Sequence, residues 1–216
     1  MRLKIFFLSL LMLAVSAGAE AQKIFLTGDS HVSAKVYPQK VGEILRQTIP
    51  GAKYSFWGKA AAGFYTFNEK KAFMDSIFNN RPDILVVHLG TNGSYSVFEP
   101  EKFGNDLRIF HEKVRSQLPD CKIVYVTPFL NNRQDKTTKK WDVNRKTRQC
   151  ADLIIDFAAG QPDTFVIDNN ADAGEVFLST PGLIRDDGVH LTAKGYNLLG
   201  EQVAARLIEF IEADPE

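Results

Sequence analysis

Asp83-Ile84-Leu85-Val86-Val87-His88-Leu89 is the stretch that most limits what this chain can fold into. It is almost continuously apolar, the pattern of a strand covered on both faces in a parallel sheet. Four weaker runs accompany it: Lys23 to Leu26, Lys53 to Trp57, Lys122 to Val126 and Thr164 to Ile167. Helical spacing of apolar residues separates them. Tyr37 to Ile49 carries Val41, Ile44 and Leu45, and Pro50-Gly51 stops it. A helix after Gly63 bears Phe67, Phe73, Met74, Ile77 and Phe78. Pro100 to Leu118 carries Phe103, Leu107, Phe110 and Val114. Val143 to Ala159 reads as helix, and Thr192 as the N-cap of a last helix with Leu198, Leu199, Val203, Leu207 and Ile211. Asp168 to Arg185 reads as irregular with one helical turn, and residues 131–142 as a polar surface loop. Such alternation predicts a three-layer α/β/α sandwich in one domain, residues 22–216.

The first 21 residues stand apart. Arg2 and Lys4 precede an eleven-residue apolar run, Ile5 to Val15, and Ala19-Glu20-Ala21 is an A-x-A cleavage pattern. Residues 1–21 therefore read as a secretory signal peptide, cut after Ala21 or Ala19, with an apolar core too short to span a bilayer. The expected location is periplasmic or extracellular, with no stable membrane insertion. Without these residues, 24 basic and 25 acidic side chains remain, so charge offers no case for nucleic acid or anionic lipid as partner. Cys121 and Cys150 either pair in an oxidising compartment or stay as buried thiols.

Lys23 to Leu26 runs into Thr27-Gly28-Asp29-Ser30-His31, which presents a serine at the end of a strand, on the edge where open α/β sheets place ligands. Serine becomes a nucleophile when an oriented base takes its proton. The chain has four histidines. His111 lies within a helix as a surface or half-buried residue, and His88, inside the central run, reads as a satisfied core residue. His31 shares a turn with the serine, so their side chains point apart; it is a candidate for lining the site. His190 remains, in Asp187-Gly188-Val189-His190, where a bent loop folds Asp187 back onto the imidazole. Acyl chemistry also needs oxyanion donors. The Asn92 amide, the Ser30 N–H and a backbone N–H from the turn Gly58 to Gly63 are candidates.

Gly28-Asp29-Ser30, Gly90-Thr91-Asn92 and Asp187-Gly188-Val189-His190, in this order, resemble blocks of the SGNH hydrolase superfamily, the GDSL-type esterases and lipases. The resemblance implies a flavodoxin-like α/β/α fold with a mostly parallel five-stranded sheet. It implies Ser30 as nucleophile, His190 as base and Asp187 as its orienter. Ser30, Asn92 and a second-block residue would form the oxyanion hole, with neither metal nor cofactor. That residue is normally glycine; the register preferred here puts Ala61 there, which keeps a working donor if φ stays negative, and the competing register puts Gly63 there. Gly28-Asp29-Ser30-His31 with Leu89-Gly90-Thr91-Asn92 is similar to bacterial branches whose substrates are often O-acetylated carbohydrates.

An acetyl-ester hydrolase is therefore expected. An acyltransferase with the same triad, a lysophospholipase or thioesterase, and a decayed glycan-binding protein are alternatives. Phe64, Tyr65, Tyr95, Phe98 and Phe129 are available for an aromatic wall, with Tyr95 and Phe129 as lining candidates. Gly28-Asp29-x-His31 also resembles a metallophosphatase element, but the chain lacks the Asn-His pair and the further histidines that two metals require.

Overall fold

The structure, a computed structural model, describes residues 22–94, 98–131 and 143–213. Five strands, β1 (Lys23–Gly28), β2 (Lys53–Gly58), β3 (Ile84–His88), β4 (Lys122–Val126) and β5 (Thr164–Ile167), form one sheet in the order β2-β1-β3-β4-β5. All four pairings are parallel. This is the flavodoxin-type order, whose direction reverses between β1 and β3, and the crevice at their C-terminal ends is where ligands bind.

Alternation along each strand divides the core. Ile24, Leu26, Ile84, Val86, Val124 and Val126 pack on one face, under α2 (Val36–Thr48), α7 (Asn169–Ser179) and α8 (Ala193–Ala213). Phe25, Leu85, Val87, Ile123 and Tyr125 pack on the other. That face is covered by α3 (Phe64–Glu69), α4 (Lys71–Phe78), α5 (Pro100–Gln117) and α6 (Val143–Ala159). A short helix, α1 (Ser30–Ser33), follows β1, and a 3-10 turn, Thr91–Ser94, follows β3. Every residue of β3 is buried, as its composition predicts.

Several expectations need correction. The helix after Gly63 is two helices, α3 and α4, broken at Lys70, whose backbone is extended. The break lets Phe67 and Phe73 close on Trp57 from both helices, at centroid distances of 6.1 and 5.0 Å. Asp168 to Arg185 holds three helical turns rather than one. The Asp168 carboxylate accepts the Ala171 N–H, and Ala173 and Phe177, four apart, supply the buried stripe of α7. His111 is buried, its Nδ1 3.2 Å from the Tyr125 hydroxyl. His88 is buried too, but neither ring nitrogen has a hydrogen-bond partner, so it is not the satisfied residue expected. Cys121 and Cys150 are separate buried thiols, pushed up to about 12 by burial. Residues 1–21, 95–97 and 132–142 lie outside the described residues, and with them the signal peptide, Tyr95 and nearly all of the polar loop.

Candidate active site

Gly28 ends β1 where a Cβ would run into the His88 carbonyl of the neighbouring strand and the Val32 side chain, so only glycine lets the chain turn there. Asp29 follows, fully buried. Its Oδ1 accepts the His31 N–H at 3.0 Å and caps α1, whose first residue is Ser30. Burial pushes the Asp29 carboxyl up to about 7, against the opposing His31 N–H bond. Ser30 thus stands on a turn fixed by its two predecessors.

From the far end of the chain, His190 reaches the same point. The Ser30 hydroxyl donates to His190 Nε2 at 3.0 Å, and His190 Nδ1–H donates to Asp187 Oδ2 at 2.7 Å. Gly188, at φ +72°, gives the loop the left-handed residue that folds it back. Asp187 Oδ1 then accepts the N–H groups of Val189 and His190, both at 2.9 Å. Burial acts to raise the Asp187 carboxyl, but the His190 side-chain bond and these two N–H bonds outweigh it and bring it down to about 2. The carboxylate therefore stays charged across the neutral range and holds the imidazole in the Nδ1–H tautomer. The arrangement can draw the serine proton onto Nε2 while stabilising the imidazolium.

The donor side is built from the ends of β2 and β3. The turn Lys59 to Ala62 closes through the Ala62 N–H to the Lys59 carbonyl at 3.1 Å. Ala61 is its third residue, at φ +62°, the left-handed position that a type II turn normally gives to glycine. Negative φ, the condition set for a donor at Ala61, is not met: the turn imposes the left-handed conformation, which strains the Ala61 methyl without taking away its N–H. The Gly63 N–H is already donated to Thr66 Oγ1 at 3.2 Å as the cap of α3, which removes it as a free donor. The Asn92 amide donates to the Ala62 carbonyl at 2.9 Å and so braces the same turn.

The lining candidates are placed differently from expectation. His31 is 0% exposed, packed against Phe129 and behind His190. Phe129, like Phe64, belongs to the core, and Phe98 packs on Phe103. Tyr65 is exposed, with Lys102 over its ring. Among the described residues no three His, Cys, Asp or Glu side chains converge as a metal-binding set, and no helix is long and apolar enough to cross a membrane.

Sequence comparison decides the family. Residues 26–198, from within β1 to within α8, match the model of the GDSL-like lipase/acylhydrolase family. The chain belongs to that family. It is a GDSL-type hydrolase of carboxylic esters, within the SGNH superfamily that the sequence resembles. No curated protein matches the sequence significantly. Solved structures resemble the fold. A catalytic mutant of an acetylxylan esterase from Geobacillus stearothermophilus aligns with TM-score 0.70 at 15% identity, over 86% of this chain and 94% of that one. A GDSL-like lipase from Parabacteroides merdae aligns with TM-score 0.70 at 18% identity, over 87% and 97%. The acetyl xylan esterase AlAXEase aligns with TM-score 0.66 at 20% identity, over 86% and 99%.

Two residues beside this GDSL-type site escaped the sequence reading. Tyr196, on the first turn of α8, places its hydroxyl 3.3 Å from His31 Nδ1. Tyr37, from α2, stands edge-on to His88 at 5.6 Å. Both occupy apolar helix positions that read as core, and no sequence spacing marks their partners on β1 and β3. The Gly63 cap, by contrast, had a signal: Gly63-Phe64-Tyr65-Thr66 places a hydroxyl residue three positions after a cap.

Proposed function

We propose that this hydrolase is an exported serine esterase that removes acetyl groups from O-acetylated carbohydrate. Ser30 is the nucleophile, His190 the general base and Asp187 its orienter. The oxyanion donors are the N–H groups of Ser30 and Ala61 and the Asn92 amide. The unbroken relay from Ser30 Oγ through His190 to Asp187 at the open edge of the sheet carries this reading.

Ser30 Oγ attacks the ester carbonyl as its proton passes to His190 Nε2. The carbonyl oxygen becomes an oxyanion. An amide has two N–H bonds, so Asn92 keeps one for it while the other holds the Ala62 carbonyl. His190 then gives its proton to the departing alcohol oxygen, leaving an acyl-Ser30 ester. A water molecule, deprotonated by the same nitrogen, attacks that ester, and collapse of the second tetrahedral intermediate releases acetate and restores Ser30.

The acetyl-carbohydrate assignment is supported by the G-D-S-H and L-G-T-N blocks and by the acetylxylan esterases among the structures of like fold. Export is supported by the basic start, apolar run and Ala19-Glu20-Ala21 pattern of the leader. The test is acetate release from acetylated xylan, pectin, peptidoglycan and sialic acid. One of them is expected to be deacetylated by the wild type and not by Ser30→Ala. Release from none, or equal release by Ser30→Ala, contradicts the proposal.

A further inference from the structure

Ser30 and His190, 160 residues apart, meet through a hydrogen bond at the protein surface, and their chain neighbours also meet beneath it. His31 follows Ser30 in α1, Leu191 follows His190, and Tyr196 stands five residues further on, in the first turn of α8. The Tyr196 hydroxyl lies 3.3 Å from His31 Nδ1. The 3.3 Å contact makes one hydrogen bond whichever partner donates, Tyr196 O–H to Nδ1 of the Nε2–H tautomer or Nδ1–H to the phenolic oxygen.

All three residues are buried. The His31 ring is held by Phe129 at 4.8 Å and His88 at 5.8 Å, and its other side lies 5.6 Å from the ring of His190. Burial, with His88 and His190 nearby, holds the His31 pKa well below its ordinary value. His31 is thus a neutral imidazole in the neutral range.

We propose that Tyr196 and His31 form a positioning latch that ties the loop carrying His190 to the turn carrying Ser30 and so sets the approach of hydroxyl to imidazole. The latch rests on the reading of Ser30 and His190 given above. Neither latch residue is exposed to meet substrate, so both act through the reacting pair. The arrangement is needed because Asp187 is half-exposed; the Tyr196 N–H, donated to the Thr192 carbonyl at 2.9 Å, joins the tyrosine to the end of that loop. A displacement of about 1 Å between reacting groups costs about a hundredfold in rate.

The test uses the whole protein as Tyr196→Phe, His31→Phe, the double variant and His31→Asn, whose side-chain amide can replace Nδ1 as donor or acceptor. Two readouts are taken: kcat and KM on p-nitrophenyl acetate, and the rate at which a fluorophosphonate labels Ser30. Tyr196→Phe and His31→Phe are each expected to lower kcat and labelling about tenfold, with KM within about twofold. The double variant falls no further, because both changes break one link. His31→Asn recovers most of the rate. Wild-type rates in Tyr196→Phe, losses that multiply in the double variant, or a His31→Asn no faster than His31→Phe overturn the latch. If His31→Phe fails to fold, Tyr196→Phe, which loses one oxygen, still decides. An unlabelled wild-type Ser30 overturns the nucleophile and the latch with it; equal labelling of wild type and Tyr196→Phe overturns the latch alone.

Discussion

On the base side of Ser30 the polar atoms already stand as proton transfer requires, whereas on the donor side they stand in a braced and strained turn. His190 has Ser30 at 3.0 Å and Asp187 at 2.7 Å, and Asp187 is pinned by two backbone N–H groups. Opposite, Ala61 is held at φ +62°, and the Asn92 amide is bonded to the carbonyl of the next residue, Ala62. The contrast has a local cause. Asp187 and His190 lie within four residues of one loop, so a single left-handed glycine brings them together. Apart from the Ser30 N–H, the donors come from the ends of two strands, β2 and β3, which lie on opposite sides of β1, and the Asn92 bond to Ala62 joins them.

This contrast predicts unequal losses when each side is broken. Asp187→Asn puts an amide N–H against His190 Nδ1 and forces the wrong tautomer, so kcat on p-nitrophenyl acetate should fall about 10⁴-fold with KM little changed. A loss below about tenfold would mean that the base side is not pre-set. Because Asp187 lies near 2 in the fold, below its unfolded value, its stabilising contribution is present above about pH 4 and fades as pH drops toward 2. An acid limb of activity near neutrality therefore does not report Asp187.

Asn92→Ala removes one donor and the brace together, with an expected loss in kcat of about 10²–10³. It should also lower the thermal midpoint, because the Ala62 carbonyl loses its partner. Unchanged kcat in a folded Asn92→Ala protein would remove Asn92 from the donor side.

Ala61→Gly sharpens the comparison from the other direction. Relief of the left-handed methyl should stabilise the fold by about 0.5–1 kcal/mol in denaturant unfolding, with kcat kept within about threefold. A destabilised Ala61→Gly protein would show that the turn is not strained.

The last effect is read through pH and concerns Asp29, whose carboxylate caps the turn carrying Ser30. Burial raises its carboxyl to about 7, so the folded protein binds that proton more tightly than the unfolded chain, and stability falls as pH rises from about 4 through 7. Asp29→Asn keeps an acceptor for the His31 N–H but cannot ionise. Its melting temperature should gain on the wild type by a few degrees between pH 5 and pH 8, and a gap that does not change with pH would contradict this.

The base side was also the more legible in the sequence. Gly28-Asp29-Ser30 and Asp187-Gly188-Val189-His190 act through spacing within a turn, which the residues state directly, and β3 declares itself by an apolar run. The strain at Ala61 was not legible. Alanine favours negative φ, and only the turn that joins β2 to α3 forces the opposite. The Tyr196–His31 pair spans 165 residues and joins a helix position that reads as core to one that reads as lining. The helix α7 was missed because its buried stripe is narrow, although Asp168 marked its start.

The central claim is that Ser30 is the reacting group of this esterase, and the most direct measurement is mass spectrometry of the protein after fluorophosphonate treatment, followed alongside its esterase activity. One adduct on the Ser30 peptide, appearing at the rate at which activity disappears, is the predicted result. Full labelling of Ser30 with activity retained, or loss of activity with the adduct on another residue, would contradict it.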